Sequence, residues 1–258
     1  MRRFGFLGTS GAVPSAERDT ISLVFEDDAG LVLLDCGGSP VQRLRRLGLD
    51  PLRLTQVVLT HLHPDHAYGL PALLQCLMLL GRSASLPVVC RPEHVEPLQT
   101  LLDVFKLGGP RMGFAAPLTP IDLAPGARAF RVGALSVSTA PNEHGSMPNF
   151  AVRVDVDGGG AVVYSSDTQP CEAVVALSRG ADTLIHEATF PQRHRGRFGV
   201  HSTAAEAGEI AARAGVRRLI LAHVEADYHG ELETLADEAR KHFGGVVDVA
   251  RELALYPL

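Results

Sequence analysis

The chain has 258 residues, 46% of them apolar and 21% charged, with a formal net charge of −5. That length allows one domain, 1–258, with a sizeable core, and the apolar share excludes a disordered chain. The negative balance excludes a surface that is basic throughout, the usual equipment of a dedicated polynucleotide binder.

Apolar runs at 3–8, 21–26 and 31–35 read as a meander of strands, with a turn at Asp27-Asp28-Ala29-Gly30. A helix over about 40–48 leads to the strand-like run Gln56-Val57-Val58-Leu59-Thr60. A further helix starts at Pro64 and runs to near Gly81. Its stretch Leu70 to Leu80 is the most apolar of the chain. It is too short to span a bilayer and contains Pro71, so it reads as buried and gives no membrane segment. Strand and helix segments continue through 86–106 and 118–140. Between them, Gly108-Gly109-Pro110 to Pro117 reads as a surface loop, in which Met112 and Phe114 either touch a ligand or pin the loop. A hairpin follows, from Asn149 to Val156, a turn at Gly158-Gly159-Gly160, then Ala161 to Ser165. The remainder reads as a helix at 203–214, a strand at 217–222, an amphipathic helix at 231–243, and strand or edge structure at 246–249 and 254–256. Periodicity gives an α/β class and no more. Met1-Arg2-Arg3 precedes a glycine-interrupted strand, which is no signal-peptide pattern. The four cysteines form no CxxC pair and read as reduced thiols of a cytoplasmic protein. All but two of the 24 cationic residues are Arg, which reads as a composition bias.

The densest chemistry is His61-Leu62-His63-Pro64-Asp65-His66, placed directly after an apolar strand. Neutral imidazole nitrogen and carboxylate oxygen suit Zn2+ and similar divalent ions. The spacing lets His61 and His63 serve one ion while Asp65 and His66 serve a second. More ligands are then needed, and three candidates each close a strand-like run: His144, Asp167 and His223. A ligand at such a place is held by a rigid scaffold at its loop edge.

With these pieces, and with Leu31-Val32-Leu33-Leu34-Asp35-Cys36-Gly37-Gly38 before them, the chain resembles the metallo-β-lactamase superfamily. The resemblance implies an αββα four-layer sandwich, two mixed β-sheets flanked by helices. It implies that His61, His63 and His144 bind one zinc, that Asp65, His66 and His223 bind the other, and that Asp167 bridges them together with a hydroxide. Asp35 would orient the loop without binding metal. An Asp at position 167, where relatives with β-lactamase activity mostly carry Cys, points away from that activity.

Three further segments narrow the resemblance. They are Phe6-Leu7-Gly8-Thr9-Ser10-Gly11-Ala12-Val13-Pro14, Asp182-Thr183-Leu184-Ile185-His186-Glu187-Ala188-Thr189-Phe190 and Val200-His201-Ser202-Thr203-Ala204-Ala205-Glu206-Ala207. Together they are similar to the ribonuclease Z branch, which trims the 3′ side of precursor tRNA. Phosphodiester cleavage needs a nucleophile, charge neutralisation and a proton for the leaving oxygen. Divalent ions supply the first two, lowering the pKa of bound water from about 15.7 to roughly 7. Asp65 would take the water proton, His201 would act as general acid, and Glu187 would orient or charge it. His186 reads as a structural hydrogen-bond partner. Thr203 and Glu206 have capping-box spacing, so Ser202 and Thr203 also read as a helix entry.

The resemblance has one departure. Bacterial tRNA-processing relatives insert a long tRNA-gripping arm between the positions of His144 and Asp167, and here that interval holds one hairpin. Arm-less relatives in a neighbouring branch cleave small or cyclic phosphodiesters. The substrate is therefore expected to be a phosphodiester, RNA or small. The basic run Arg193-His194-Arg195-Gly196-Arg197 either reaches its phosphates or forms a solvated loop. A carboxylic substrate, a lactone or thioester, is the alternative, since the same ions polarise a carbonyl. A non-catalytic protein on the same fold would be expected to lack ligands, and none is missing. Manganese or iron would suit the same ligands as zinc. Relatives in the branch dimerise, which leaves a homodimer open.

Overall fold

The computed structural model of the chain describes residues 2–197 and 199–258, with the backbone alone at Pro110. Strands β1 (Arg3–Gly8), β2 (Ser22–Asp27) and β3 (Gly30–Leu34) form the expected antiparallel meander. Helix α1 (Pro40–Arg46) crosses to β4 (Leu54–Val58), which lies parallel to β3. Helices α2 (Pro64–Ala67) and α3 (Leu70–Leu79) lead to β5 (Val88–Cys90), and α4 (Val95–Val104) leads to β6 (Leu118–Pro120). The second half supplies β7 (Ala127–Val132), β8 (Leu135–Pro141), β9 (Phe150–Val156) and β10 (Ala161–Tyr164), joined in antiparallel pairs β7/β8, β8/β9 and β9/β10. Next come α5 (Glu172–Ser178), β11 (Thr183–Glu187), α6 (Ala204–Ala214), β12 (Arg218–Ala222), α7 (Leu232–Arg240) and β13 (Val246–Val249). Strand β14 (Leu255–Pro257) returns to pair with β1.

Among the described residues these strands make two seven-stranded sheets, ordered β14-β1-β2-β3-β4-β5-β6 and β13-β12-β11-β10-β9-β8-β7. Strand alternation explains the layering, because successive side chains point to opposite faces. Leu23 and Phe25 of β2, and Val32 and Leu34 of β3, meet Val152, Tyr164, Ile185 and Ile220 between the sheets. Their neighbours Val24, Leu31 and Leu33 turn the other way, onto Leu44 of α1 and Leu73 and Leu77 of α3. On the second sheet, Leu184, Leu219 and Leu221 pack under α5, α6 and α7 through Val174, Ile210 and Leu235. Each sheet is covered on both faces, so its central strands are near-continuous apolar runs. This is the αββα arrangement.

One expectation needs correction. The helix from Pro64 to Gly81 is broken. At Gly69 the backbone amide donates to Cys36 O at 2.8 Å, and a Cβ there would meet that oxygen at 2.6 Å. The break anchors α2 to the loop after β3, where Cys36 N in turn donates to His66 O at 2.7 Å. Of the two readings for Met112 and Phe114, burial in the core under the first sheet favours the second, that they pin their loop. Helix α5, with Val174 and Val175 buried, was not anticipated.

Candidate metal centre

Six of the seven expected ligands follow the C-terminal ends of strands that have a parallel neighbour. β4 runs into His61 and His63, with Asp65 and His66 in the first turn of α2. β12 runs directly into His223. Asp167 follows β10, which is parallel to β11, and His144 follows β8. Pro64 starts α2, where its missing N–H costs nothing. Three of the non-glycine residues held at positive φ stand at this edge: Asp35 (57°), Ser166 (53°) and His223 (56°). Such backbone persists only where surrounding contacts fix it, and it concentrates at functional sites.

The structure brings all seven candidates together. His61, His63, His144 and Asp167 place ligand atoms within 4.8 Å of one another, and so do Asp65, His66, Asp167 and His223. His63 Nδ1 lies 3.0 Å from both His61 Nε2 and His144 Nε2. Asp167 Oδ2 stands between the two sets, 3.3 Å from His66 Nε2, 3.2 Å from His223 Nε2 and 3.8 Å from His61 Nε2. Asp65 Oδ2 closes the second set at 3.4 Å from His66 Nε2 and 3.3 Å from His223 Nε2.

The far side of each imidazole decides its tautomer. His66 Nδ1 donates to Asp35 Oδ2 at 2.8 Å, and His144 Nδ1 donates to Val200 O at 3.0 Å. Thr60 Oγ1 donates to Asp35 at 2.9 Å, so it accepts from His61 Nδ1 at 3.2 Å. Thr189 Oγ1 donates to Glu187 Oε2 at 2.6 Å, so it accepts from His223 Nδ1 at 3.1 Å. In each case the Nε2 lone pair is left facing the centre, as a metal-binding histidine requires. Asp35 collects Thr60, His66 and Tyr164, whose hydroxyl donates at 3.1 Å, and is itself a member of neither donor set. Its place is that of the loop organiser.

Charge follows the same division. Burial, then the facing His66, push His61 well below its ordinary value; burial and His144 lower His63, and burial lowers His144. These three are neutral. Around the second set, burial would raise Asp65 and Asp167, but His223 and His66 outweigh it and hold both carboxyls below the ordinary range. Burial would lower His66 and His223; Asp167, joined by Asp35 at His66 and by Asp65 at His223, raises both instead. The second set is thus a pair of buried carboxylates that demands positive charge. His66 Nε2 and Asp167 Oδ1 are also buried without a hydrogen-bond partner. A buried polar atom left so is costly unless an ion or water meets it.

His201 stands beside this centre, with its ring 4.9 Å from His144 and 5.5 Å from His223, centroid to centroid. Its Nδ1 donates to Glu187 Oε1 at 2.8 Å. Burial would depress it, but Glu187 and Asp167 outweigh that and push it up to about 9. Unlike the ligand candidates of the second set, it keeps part of its surface open, 17% of the side chain. His186 is a member of neither set; its Nδ1 donates to Glu187 O at 2.7 Å, a structural contact. The basic run is largely tied down: Arg193 pairs with Glu231 at 2.7 Å and Arg195 with Glu206 at 2.8 Å. Tyr164, Thr189 and the Val200 carbonyl complete the support. Thr189 and Val200 lie within the motif segments, but Tyr164 gives no signal, because its partner is distant in sequence.

Comparison with known proteins agrees with this arrangement. A family profile described as "Beta-lactamase superfamily domain" matches residues 31–224. "Ribonuclease Z" of Methanosarcina mazei is 32% identical over 98% of this chain and 97% of its own length. That alignment runs over 300 positions against 258 residues here, so the relative holds segments that this chain lacks. Among solved structures, the metallo-beta-lactamase fold protein YhfI from Bacillus subtilis superposes with a TM-score of 0.83 at 25% identity, over 99% of this chain and 98% of its own. Human tRNase Z, short form, shares the fold with a TM-score of 0.79 at 23% identity, each chain being covered to 98%.

Proposed function

The chain belongs to the beta-lactamase superfamily and, within it, to the ribonuclease Z family, and from that membership we propose a binuclear metal-dependent phosphodiesterase working as one domain, 1–258. The observation that carries the reading is the pair of adjoining donor sets that share Asp167. His61, His63 and His144 would hold one divalent ion, Asp65, His66 and His223 the other, and Asp167 both. The donor set fits: its nitrogens face inward, and two of its buried polar atoms have no other partner. Imidazole with carboxylate suits zinc, and it accepts manganese and iron. When bound, such ions supply Lewis acidity to the attacking water and to the phosphoryl oxygens.

The remaining work falls to the chain's own groups. Asp65 accepts the proton of the attacking water. Glu187 holds His201 by Nδ1, which leaves Nε2 to face the substrate and keeps the ring protonated. His201 then gives its proton to the departing oxygen. Thr189 links Glu187 to His223, so the acid and the donor set are fixed in one frame.

The relatives' name supports RNA, tRNA included, as substrate. The short hairpin β9–β10 supports a small or cyclic diester, since nothing is inserted there to grip a folded RNA. Four free cysteines support a cytoplasmic site, and no helix of the described residues is long and apolar enough to cross a membrane. A homodimer remains part of the reading.

The test is hydrolysis of bis-p-nitrophenyl phosphate. Turnover is expected, lost on chelation and restored by zinc. A metal-loaded protein that is inert on diesters but opens lactones or thioesters contradicts the reading.

A further inference from the structure

A groove of about 440 Å³ runs between α3 and the segment that follows α4. Pro71 and Leu107 are buried beneath it, and Tyr68 and Phe105 stand at it with 49% and 57% of their surface exposed. The charged residues that line it are Lys106 and Arg111, both exposed, and no carboxylate joins them. Among the described residues neither cation has an ion pair or a side-chain hydrogen bond. The nearest acid to Lys106 in sequence, Asp103, lies outside the lining and accepts from Gln99 Nε2 at 2.9 Å. Lys106 is also held at a φ of 56°. There α4 ends, with Lys106 N donating to Asp103 O at 3.0 Å and Leu107 N to Leu102 O at 2.8 Å. A helix that ends this way favours glycine at that position, and Gly108 stands only two residues further on. The turn alone therefore gives no reason for a side chain there.

Tyr68 caps α2 at its C-terminal end, three residues after Asp65 and two after His66. The groove therefore begins within one helical turn of the donor sets. We propose that it docks an unpaired RNA strand beside the scissile phosphate, with bases stacked on Tyr68 and Phe105 and phosphates on Lys106 and Arg111. Exposed rings interleaved with cations are the equipment for a single strand, because every base has a face to stack and every unit a phosphate to pair. The proposal deepens the phosphodiesterase reading, and rests on it for placing the scissile phosphate at the donor sets. It makes the substrate an extended strand; a folded RNA body would need a grip that the short hairpin β9–β10 does not offer. With a net charge of −5 on the whole chain, the attraction is local to these two cations. A second copy of the chain could also cover exposed rings. An isologous contact centred on the groove, however, would set Lys106 and Arg111 against their own copies.

The test is fluorescence anisotropy of a short labelled 2′-O-methyl oligouridylate, titrated with the zinc-loaded protein at several salt concentrations. On logarithmic axes, affinity for a single strand falls with salt by about 0.7 per phosphate contact. In Lys106→Gly/Arg111→Ala that slope should become shallower by about 1.4, with affinity about tenfold lower at low salt. The melting temperature should hold or rise, because glycine relieves the backbone at position 106. Lys106→Arg should keep the affinity. Phe105→Ala should lose about tenfold with the slope kept, since stacking involves no phosphate. An unchanged slope in the double variant overturns the site and leaves the phosphodiesterase reading standing. A chain that sediments as a dimer, and as a monomer in Phe105→Ala, also overturns it and assigns the groove to a second copy. Diester hydrolysis absent while the slope shift is present removes the phosphodiesterase reading and not the site.

Discussion

Asp35 shows how much of the site is built by residues that would touch neither metal nor substrate. It fixes the backbone amide of Thr60 at 2.8 Å and the His66 ring at 2.8 Å, so one carboxylate positions both ends of the His61–His66 turn. Asp35→Ala should weaken zinc binding by about 10- to 100-fold, the usual cost of losing a group that orients a metal-binding histidine. Competition with a chromogenic chelator measures it, and unchanged affinity would deny Asp35 that role. His201→Ala should lower turnover of an alkyl diester by about 10²- to 10⁴-fold. It should leave p-nitrophenyl esters far less affected, because p-nitrophenolate departs without a proton. Equal loss on both esters would argue that His201 holds the site and donates nothing. The seven ligand candidates could be read from the sequence because four are adjacent in it and the others each terminate a strand. Tyr164 could not, since its hydroxyl reaches Asp35 from the other sheet and the residue itself reads as one more apolar strand position.

The elements reward the same comparison. The hairpin β9–β10 and the capped helix α6 follow from local signals, glycine turns and a Thr203/Glu206 capping box that the structure contains in full. Gly69 is the opposite case. Its surroundings in sequence are helical, and a lone glycine inside a helix is tolerated, so the pattern gives no reason to stop. The reason is the Cys36 carbonyl, 33 positions away and invisible to periodicity. The substitution Gly69→Ala separates the two views by sign. In a continuous helix it would stabilise by about 1 kcal/mol. Against the Cys36 carbonyl it should destabilise by about 1–3 kcal/mol, an ordinary cost of overpacking. Urea denaturation followed by circular dichroism reads the difference.

Over the whole molecule, the layering was only partly legible. Periodicity supports strands with helices between them, but not which strands share a sheet, because pairing joins β14 to β1 across nearly the full chain. The four-layer order came from the family's motifs. Ion pairs of Glu26, on the interior strand β2, add a pH dependence of their own. Burial would raise the Glu26 carboxyl, but hydrogen bonds from Arg3 at 2.5 Å and Arg53 at 2.6 Å outweigh it and hold it below its ordinary value. A depressed carboxyl contributes stability above its unfolded value, near 4.3 for Glu, and loses it as pH falls through the folded value. Glu26→Gln should therefore show a flatter fall in melting temperature from pH 6 to acid, on the order of pH 3, than the native chain. A parallel fall in both would mean that the pairs contribute nothing measurable.

The central claim is that two adjoining donor sets, sharing Asp167, hold two ions. Elemental analysis of the zinc-reconstituted, desalted protein tests it directly. Two equivalents of zinc per chain are expected, falling below one in Asp167→Ala while the fold is retained by circular dichroism. One equivalent or less in the native chain, or two in the variant, would contradict the account.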